Sequence, residues 1–207
     1  MIRDKISPFK QKDIVLAYIA KWRPSKNHLF LLKLLLKLPE RFKVILGGPI
    51  VKGGPYFDRD NRILNYAKEF IKNNSLEDRV LLLDKFVENI NDYIATSDVY
   101  LMPTKEEALG TPLLEAIAVG RPVIANNLVE VWRELAQEIP SLFLIPLDEK
   151  AWIESIYNAL AIEQEILRSS SKKVLNSFSS EVIDEKYYCI LEGLKMGKGY
   201  KEILSSV

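Results

Sequence analysis

The sequence predicts an α/β fold: a Rossmann-like parallel sheet with helices on both faces and further helices at the C-terminus. Three observations predict it. Short apolar runs of strand length alternate with runs of helical pattern from Asp13 to Ile145, and that alternation builds parallel βαβ units. The 207 residues are 48% hydrophobic and 28% charged, enough for one globular domain with a sizeable core. The residues least expected on a plain surface gather in loops that follow strands, where sheets of this kind bind ligands.

Taken in order, Asp13–Ala20 (DIVLAYIA) reads as the first strand and His28–Leu38 as the helix after it. Phe42–Leu46 is the second strand, followed by a glycine-rich loop and a helix near Arg62–Lys72. Val80–Leu83 is the third strand, with a short helix around Ile90–Ala95. Val99–Met102 is the fourth, and Pro112 opens the next helix, since proline is favoured in a first turn. Val123–Ala125 and Leu142–Ile145 complete the strands, and helices finish the chain. The expectation is a single domain, with a core of about residues 13–168 and C-terminal helices of about 169–207. The serines at 169–171, with Ser177, Ser179 and Ser180, are read as joints between those helices.

Composition excludes several classes. Lys plus Arg number 29 against 28 Asp plus Glu, a net charge of +1, so nothing electrostatic points to nucleic acid. Cys189 is the only cysteine, which leaves no disulfide framework; it is expected as a small buried hydrophobe. The stretch MIRDKISPFKQKD lacks the apolar run of a signal peptide, and HLFLLKLLLKLP is too short and too broken by Lys33 and Lys37 to span a bilayer. Membrane association is therefore not indicated, and the expected compartment is the cytoplasm.

Three loops stand out. Lys21 and Lys26, five residues apart after the first strand, can converge on one anion with a helix N-terminus behind them. A plain solvated loop, with Asn27 or Ser25 capping the helix, is the other reading. Gly47–Pro55 (GGPIVKGGP) is neither a Walker loop nor a dinucleotide fingerprint, and a plain turn is favoured there over a ligand loop. In Glu107-Ala-Leu-Gly110-Thr-Pro112-Leu-Leu-Glu115, Pro112 places Thr111 at the N-cap, so a capping-box glutamate would fall at Leu114. Glu115 is one residue too late for that role, inside a helix whose Leu113, Leu114, Ile117 and Ala118 read as buried. A carboxylate there needs a partner or an opening to solvent. Glu107 also fits a surface acid near a helix N-terminus. Cations and free amides suit a diphosphate, and carboxylates accept from hydroxyls. Together they describe a ligand of the nucleotide-sugar kind.

The stretch Glu107 to Ile124, EALGTPLLEAIAVGRPVI, resembles the Glu-x7-Glu motif of the donor-binding C-terminal domain of retaining GT-B glycosyltransferases, the glycosyl transferases group 1. Ser97–Glu107 (SDVYLMPTKEE) resembles the approach to that motif, and the similarity runs from about Ile14 to Leu160. The resemblance implies one half of a GT-B fold and a hexosyltransferase of the retaining type. It implies that Glu107 binds the transferred sugar, with the amides of Leu109 to Thr111 and residues Gly110, Leu113 and Leu114 close by. It implies Glu115 on the ribose, Lys21 and Lys26 on the diphosphate, and Lys85 and Phe86 near the base. No metal and no cofactor beyond the donor substrate is implied.

The chain departs from the family at Ala20-Lys21, where the family has Gly-Arg; lysine lacks arginine's fork, and Arg23 could substitute. The family's glycine after the third strand is replaced around Asp84 or Lys85. The acceptor-binding N-terminal domain has no counterpart, so a separate acceptor domain is the expected partner. Self-association through Lys186–Leu194, an apolar helix with no domain to cover it, is the other. His28, the only histidine, is expected to pack or cap rather than catalyse. Two non-enzymatic readings stay open: a nucleotide-sugar sensor or regulatory module, and an interaction domain with a decayed pocket.

Overall fold

The computed structural model describes residues 8–205 except 51, 85 and 87. Its strands are β1 (Ile14–Ile19), β2 (Phe42–Gly47), β3 (Val80–Leu83), β4 (Val99–Met102), β5 (Val123–Asn126) and β6 (Leu142–Ile145). They form one sheet in the order β3-β2-β1-β4-β5-β6. Every neighbouring pair is parallel. Parallel strands covered on both faces are apolar throughout, and β1, β2, β4 and β5 are buried along almost their whole length. All six fall where the sequence places them, within one residue at either end.

The helices are α1 (His28–Lys37), α2 (Phe57–Asn73), α3 (Ile90–Thr96), α4 (Thr111–Ala118), α5 (Val131–Glu138), α6 (Glu149–Leu160), α7 (Gln164–Phe178), α8 (Ser180–Lys195) and α9 (Tyr200–Leu204). One layer joins α2 to α1 and α1 to α6; the other joins α3 to α4 and α4 to α7. In α1, Leu31, Leu32, Leu34 and Leu35 are buried. The helix stops at Leu38, extended at ψ 148, because the residue before Pro39 is driven out of the helical region. Helix α2 begins at Phe57, five residues before its expected start. Asp58 and Asp60 occupy its first turn, where carboxylates complement the helix dipole.

Other expectations are corrected. Helix α5 was not anticipated; it has only eight residues, of which Trp132 alone is fully buried. The serines at 169–171 lie inside α7 rather than at a joint, and Ser171 donates to the Ala118 carbonyl at the end of α4. The joint is at Ser179, whose hydroxyl accepts from the Val182 amide and caps α8. Cys189 is exposed, not buried, because α8 meets the body mainly along α7 and is turned back on by α9. Its Tyr187, Tyr188, Leu191 and Leu194 are exposed as well. No helix among the described residues is long and apolar enough to cross a membrane.

The Gly47-Gly48 pair has a structural reason. A Cβ on Gly47 would lie 1.9 Å from the Leu83 carbonyl oxygen, and one on Gly48 2.2 Å from that of Ala20. Both contacts are with backbone of adjoining segments that cannot yield. Gly47→Ala should therefore cost at least about 2 kcal/mol in urea unfolding. Gly53→Ala, also at positive φ but with no heavy atom within 4 Å, should lose only the ~1 kcal/mol of the left-handed conformation. Equal losses would remove the steric argument.

Candidate functional site

Strand β1 connects outward through β2 to β3, and the chain then returns to place β4 on the other side of β1. The loops after β1 and β4 therefore diverge from neighbouring strands, and the crevice between them is where such sheets bind ligands. The buried Tyr100 of β4 fastens the two strands: its hydroxyl accepts from the Ile19 amide and donates to the Ile19 carbonyl, both at 3.3 Å. Burial raises the pKa of that phenol, as does the negative charge of Glu115 and Glu107 nearby. Both glutamates thus lie within electrostatic reach of one buried ring.

In the loop after β1, Lys21 is exposed and makes no ion pair among the described residues. Trp22 is fully buried and stacks on His28, ring centroids 4.1 Å apart at 19°. His28 Nε2 is 3.1 Å from the Ala20 carbonyl oxygen, so it carries the proton, and Nδ1 is enclosed without a partner. Burial lowers the His28 pKa to about 3, which leaves a neutral packing residue. The chain then makes a 3₁₀ turn, Pro24–Lys26, and enters α1 through Asn27 in the left-handed region, φ 55. Asn27 does not cap with its side chain, which donates instead to the Pro103 carbonyl at 3.2 Å. Nor does Ser25, whose carbonyl accepts from the Lys105 amide at 2.7 Å.

The loop after β4 is held as firmly. Thr104 Oγ1 lies 3.1 Å from Ser25 O and 2.9 Å from Glu106 O, and the Thr104 carbonyl accepts from buried Asn126 Nδ2 at 2.9 Å. Tyr18 donates to the Lys26 carbonyl at 2.9 Å. These bonds bring Lys26 and Glu107, 81 residues apart in sequence, into an ion pair with side chains only 17% and 19% exposed.

Helix α4 opens beside that pair. Its N-cap is Gly110, φ 73 and ψ 61, not Thr111, which is the first helical residue, with Pro112 second. Glycine is required twice over: by the left-handed backbone, and because a Cβ would meet Trp132 at 3.0 Å and Glu107 Cγ at 3.2 Å. Trp132 donates through Nε1 to the Leu109 carbonyl at 2.9 Å, so the unanticipated helix α5 is what seats this turn. The amides of Leu109, Gly110 and Thr111 find no acceptor among the described residues, and Pro112 has none to offer. The positive end of α4 is thus open beside Glu107.

Leu113 and Leu114 are buried, so their side chains belong to the core. Glu115 between that core and the surface is partly buried, and its Oε2 is enclosed without a hydrogen-bond partner. Burial raises its pKa. Phe86 is 72% exposed and borders a cleft of about 700 Å³ with Ile50, Phe57 and Asn61. Lys85 lies outside the described residues. Arg23 points elsewhere: with Lys105, Glu106, Tyr56 and Arg59 it lines a cavity of about 470 Å³ that includes neither Lys26 nor Glu107. Among the described residues no group of three or more His, Cys, Asp or Glu could hold a metal ion.

The description of the glycosyl transferases group 1 matches residues 2–173. The chain belongs to that family. It is 28% identical over 151 residues to EpsF of Bacillus subtilis (strain 168), covering 72% of this chain and 36% of EpsF. It is 28% identical over 138 residues to the N-acetyl-alpha-D-glucosaminyl L-malate synthase of Bacillus anthracis, covering 63% of this chain and 36% of that one. The chain thus spans about a third of the length of these relatives. The crystal structure of Anabaena HepE in complex with UDP and glucose superposes with a TM-score of 0.77 over 92% of this chain and 50% of that one, at 18% identity. The Rossmann-like fold is that of GT-B glycosyltransferases, as expected.

The buried groups give a titration test. His28 is neutral when folded and has an ordinary pKa when unfolded, so the unfolded chain binds more protons as the pH falls. Stability is then full above about 6.5 and is lost on the way down to about 3, approaching ~1.4 kcal/mol per pH unit from this residue alone. As this is the only histidine, its ring proton resonance should stay at the neutral position between pH 7.5 and 4.5. A midpoint near 6.5 would refute its burial. Glu115 has the opposite sign. Its raised pKa makes the ionised form costly above the ordinary glutamate range, so Glu115→Gln should be the more stable chain at pH 7. That advantage should shrink as the pH falls through the carboxylate range.

Proposed function

We propose that this chain is the donor-binding domain of a retaining glycosyltransferase. It holds a nucleoside-diphosphate hexose, for transfer to a saccharide or lipid-linked acceptor presented by a separate acceptor-binding domain. The observation that carries this reading is Glu115: a carboxylate enclosed in an apolar helix, with one oxygen unpartnered, beside a helix end whose amides are open. Unsatisfied buried acceptors are costly, and ribose hydroxyls would satisfy this one. A UDP complex of a protein of the same fold makes a uridine nucleotide the first to try.

The placement supports the following roles. Lys26 and Lys21 neutralise the diphosphate, with the open end of α4 adding its partial positive charge. Glu107, now paired with Lys26, accepts from hydroxyls of the sugar, and Phe86 lies beside the base. As the bond to the anomeric carbon breaks, charge grows on the leaving diphosphate, and fixed cations and amides stabilise it more than the ground state. Lysines and amides meet that need without a metal ion. The exposed apolar side of α8, with Tyr187, Leu191 and Leu194, packs on the acceptor-binding domain. The chain alone binds donor and transfers little.

Calorimetric titration with UDP, GDP, ADP and their sugar conjugates, with EDTA present, tests this directly. One nucleotide should bind, and Glu115→Ala should weaken it by about 1–3 kcal/mol. No binding by any of them, or binding indifferent to Glu115→Ala, would sink the reading. A requirement for a divalent ion would sink the lysine assignment.

A further inference from the structure

The β1 and β4 loops present two sides. Lys26 and Glu107 pair on one side, while their neighbours Ser25 and Glu106 line a cavity on the other, with Arg23, Lys105, Tyr56 and Arg59. That cavity collects three cations against the single carboxylate of Glu106. Neither Arg23 nor Lys105 makes an ion pair among the described residues, and Glu106 makes none with them. Arg59 is held in place. Its Nε and Nη2 reach Oδ1 of buried Asp60 at 2.9 and 2.8 Å, and its guanidinium carbon lies 4.5 Å over the Tyr56 ring. Its Nη1 edge is not used by that contact. Arg23 is extended, φ −146 and ψ 153, ahead of Pro24, and Lys105 is pinned at its amide by Ser25 O. All three residues line a common space of about 470 Å³, two on backbones held by their neighbours and one with its fork oriented.

We propose that Arg23, Arg59 and Lys105 form a second anion site, which takes a phosphoryl group distinct from the donor diphosphate. Arginine forks match tetrahedral oxyanions and lysine adds charge, while the Tyr56 hydroxyl supplies a further donor. If the glycosyltransferase reading holds, on which this assignment rests, the group belongs to the acceptor, because the site shares both loops with Lys26 and Glu107. The phosphoryl group then comes either from a soluble phosphorylated saccharide or from the headgroup of a lipid.

The test is a titration of the isotope-labelled chain with inorganic phosphate, following the arginine Nε–H signals and the Ser25 and Lys105 amides by NMR. Saturable shifts are expected at Arg23, Arg59 and Lys105. The double variant Arg23→Gln/Lys105→Gln should weaken them at least about tenfold, and Lys26→Gln should leave them in place. Phosphatidylcholine vesicles with and without phosphatidic acid form the second arm. A response to free phosphate assigns a soluble source; a response only to phosphatidate vesicles assigns a lipid headgroup. No saturable response in either arm overturns the site, as does a response lost in Lys26→Gln but kept in the double variant. A UDP titration of the same sample separates the two readings. Phosphate binding without UDP binding would sink the donor assignment and leave this site standing.

Discussion

The fastening of Ile19 by Tyr100 is the contact on which the site depends. Strands β1 and β4 are adjacent although most of a hundred residues separate them in sequence, and their register runs through Leu16–Val99 and Ala17–Tyr100, with the Asp98 amide donating to the Val15 carbonyl just before it. Beyond that register the strands part toward their loops, and the tyrosine hydroxyl carries the connection one step further. From there the loops hold each other through Thr104, Lys105, Ser25 and Asn27, mostly by bonds to backbone. The Lys26–Glu107 pair is the outcome of that scaffold rather than its cause. Partly exposed ion pairs contribute little to stability, whereas buried bonds to backbone groups are costly to lose. The charges are therefore placed before any ligand arrives, and the ordering cost is already met by folding.

Stability and site pull in opposite directions along α4. Its Leu113, Ala116 and Ile117 are fully buried, and an apolar residue at 115 would extend that surface. A carboxylate there instead loses solvation, and its Oε2 finds no hydrogen-bond partner among the described residues. Trp132 offsets part of this cost at the start of the helix. It is fully buried and donates its indole N–H to the Leu109 carbonyl, so it supplies apolar area and satisfies a backbone group together. The turn that leads into the helix with the unfavourable charge is thus held by a buried side chain.

How legible this was in the sequence follows the range of the forces involved. The six strands were legible because each is a short apolar run, and four of them, β1, β2, β4 and β5, are buried along almost their whole length. Glu115 was legible as an anomaly, since its offset from Pro112 rules out a capping box. Two helix starts were not: α2 starts early on two aspartates, and α4 is capped by a glycine at positive φ whose missing Cβ leaves room for Trp132, far away in sequence. Cys189 and the serines of α7 were misplaced because composition says how often a residue type is buried, not which face of a helix meets a neighbour. The tie between the two loops was invisible, because it consists of backbone acceptors that every residue carries. The Arg59 side of the cavity was missed for the same reason: only the fold brings α2 beside the β1 loop.

The same placement bears on the proposed need for a second domain. Lys26, Glu107 and the open end of α4 sit beyond the carboxyl ends of the central strands β1 and β4, where solvent screens charge and weakens each interaction. On the proposed reading, leaving-group stabilisation needs that edge to be covered and dried. This chain spans about a third of EpsF and half of HepE, so its relatives contain chain enough to build a cover. The protein also has a surface suited to holding one. Helix α8 meets the body mainly along α7, α9 folds onto it with Ile203 against Gly193, and its tyrosine and leucine side chains are left exposed. An apolar helix face costs solubility in an isolated domain, and covering it would remove that cost. A body anchored on α8 and reaching across the loops would meet Arg23, Lys105 and Arg59 as it closed. The second cation cluster would then sit at the boundary between the two halves, where an acceptor must be gripped from both sides.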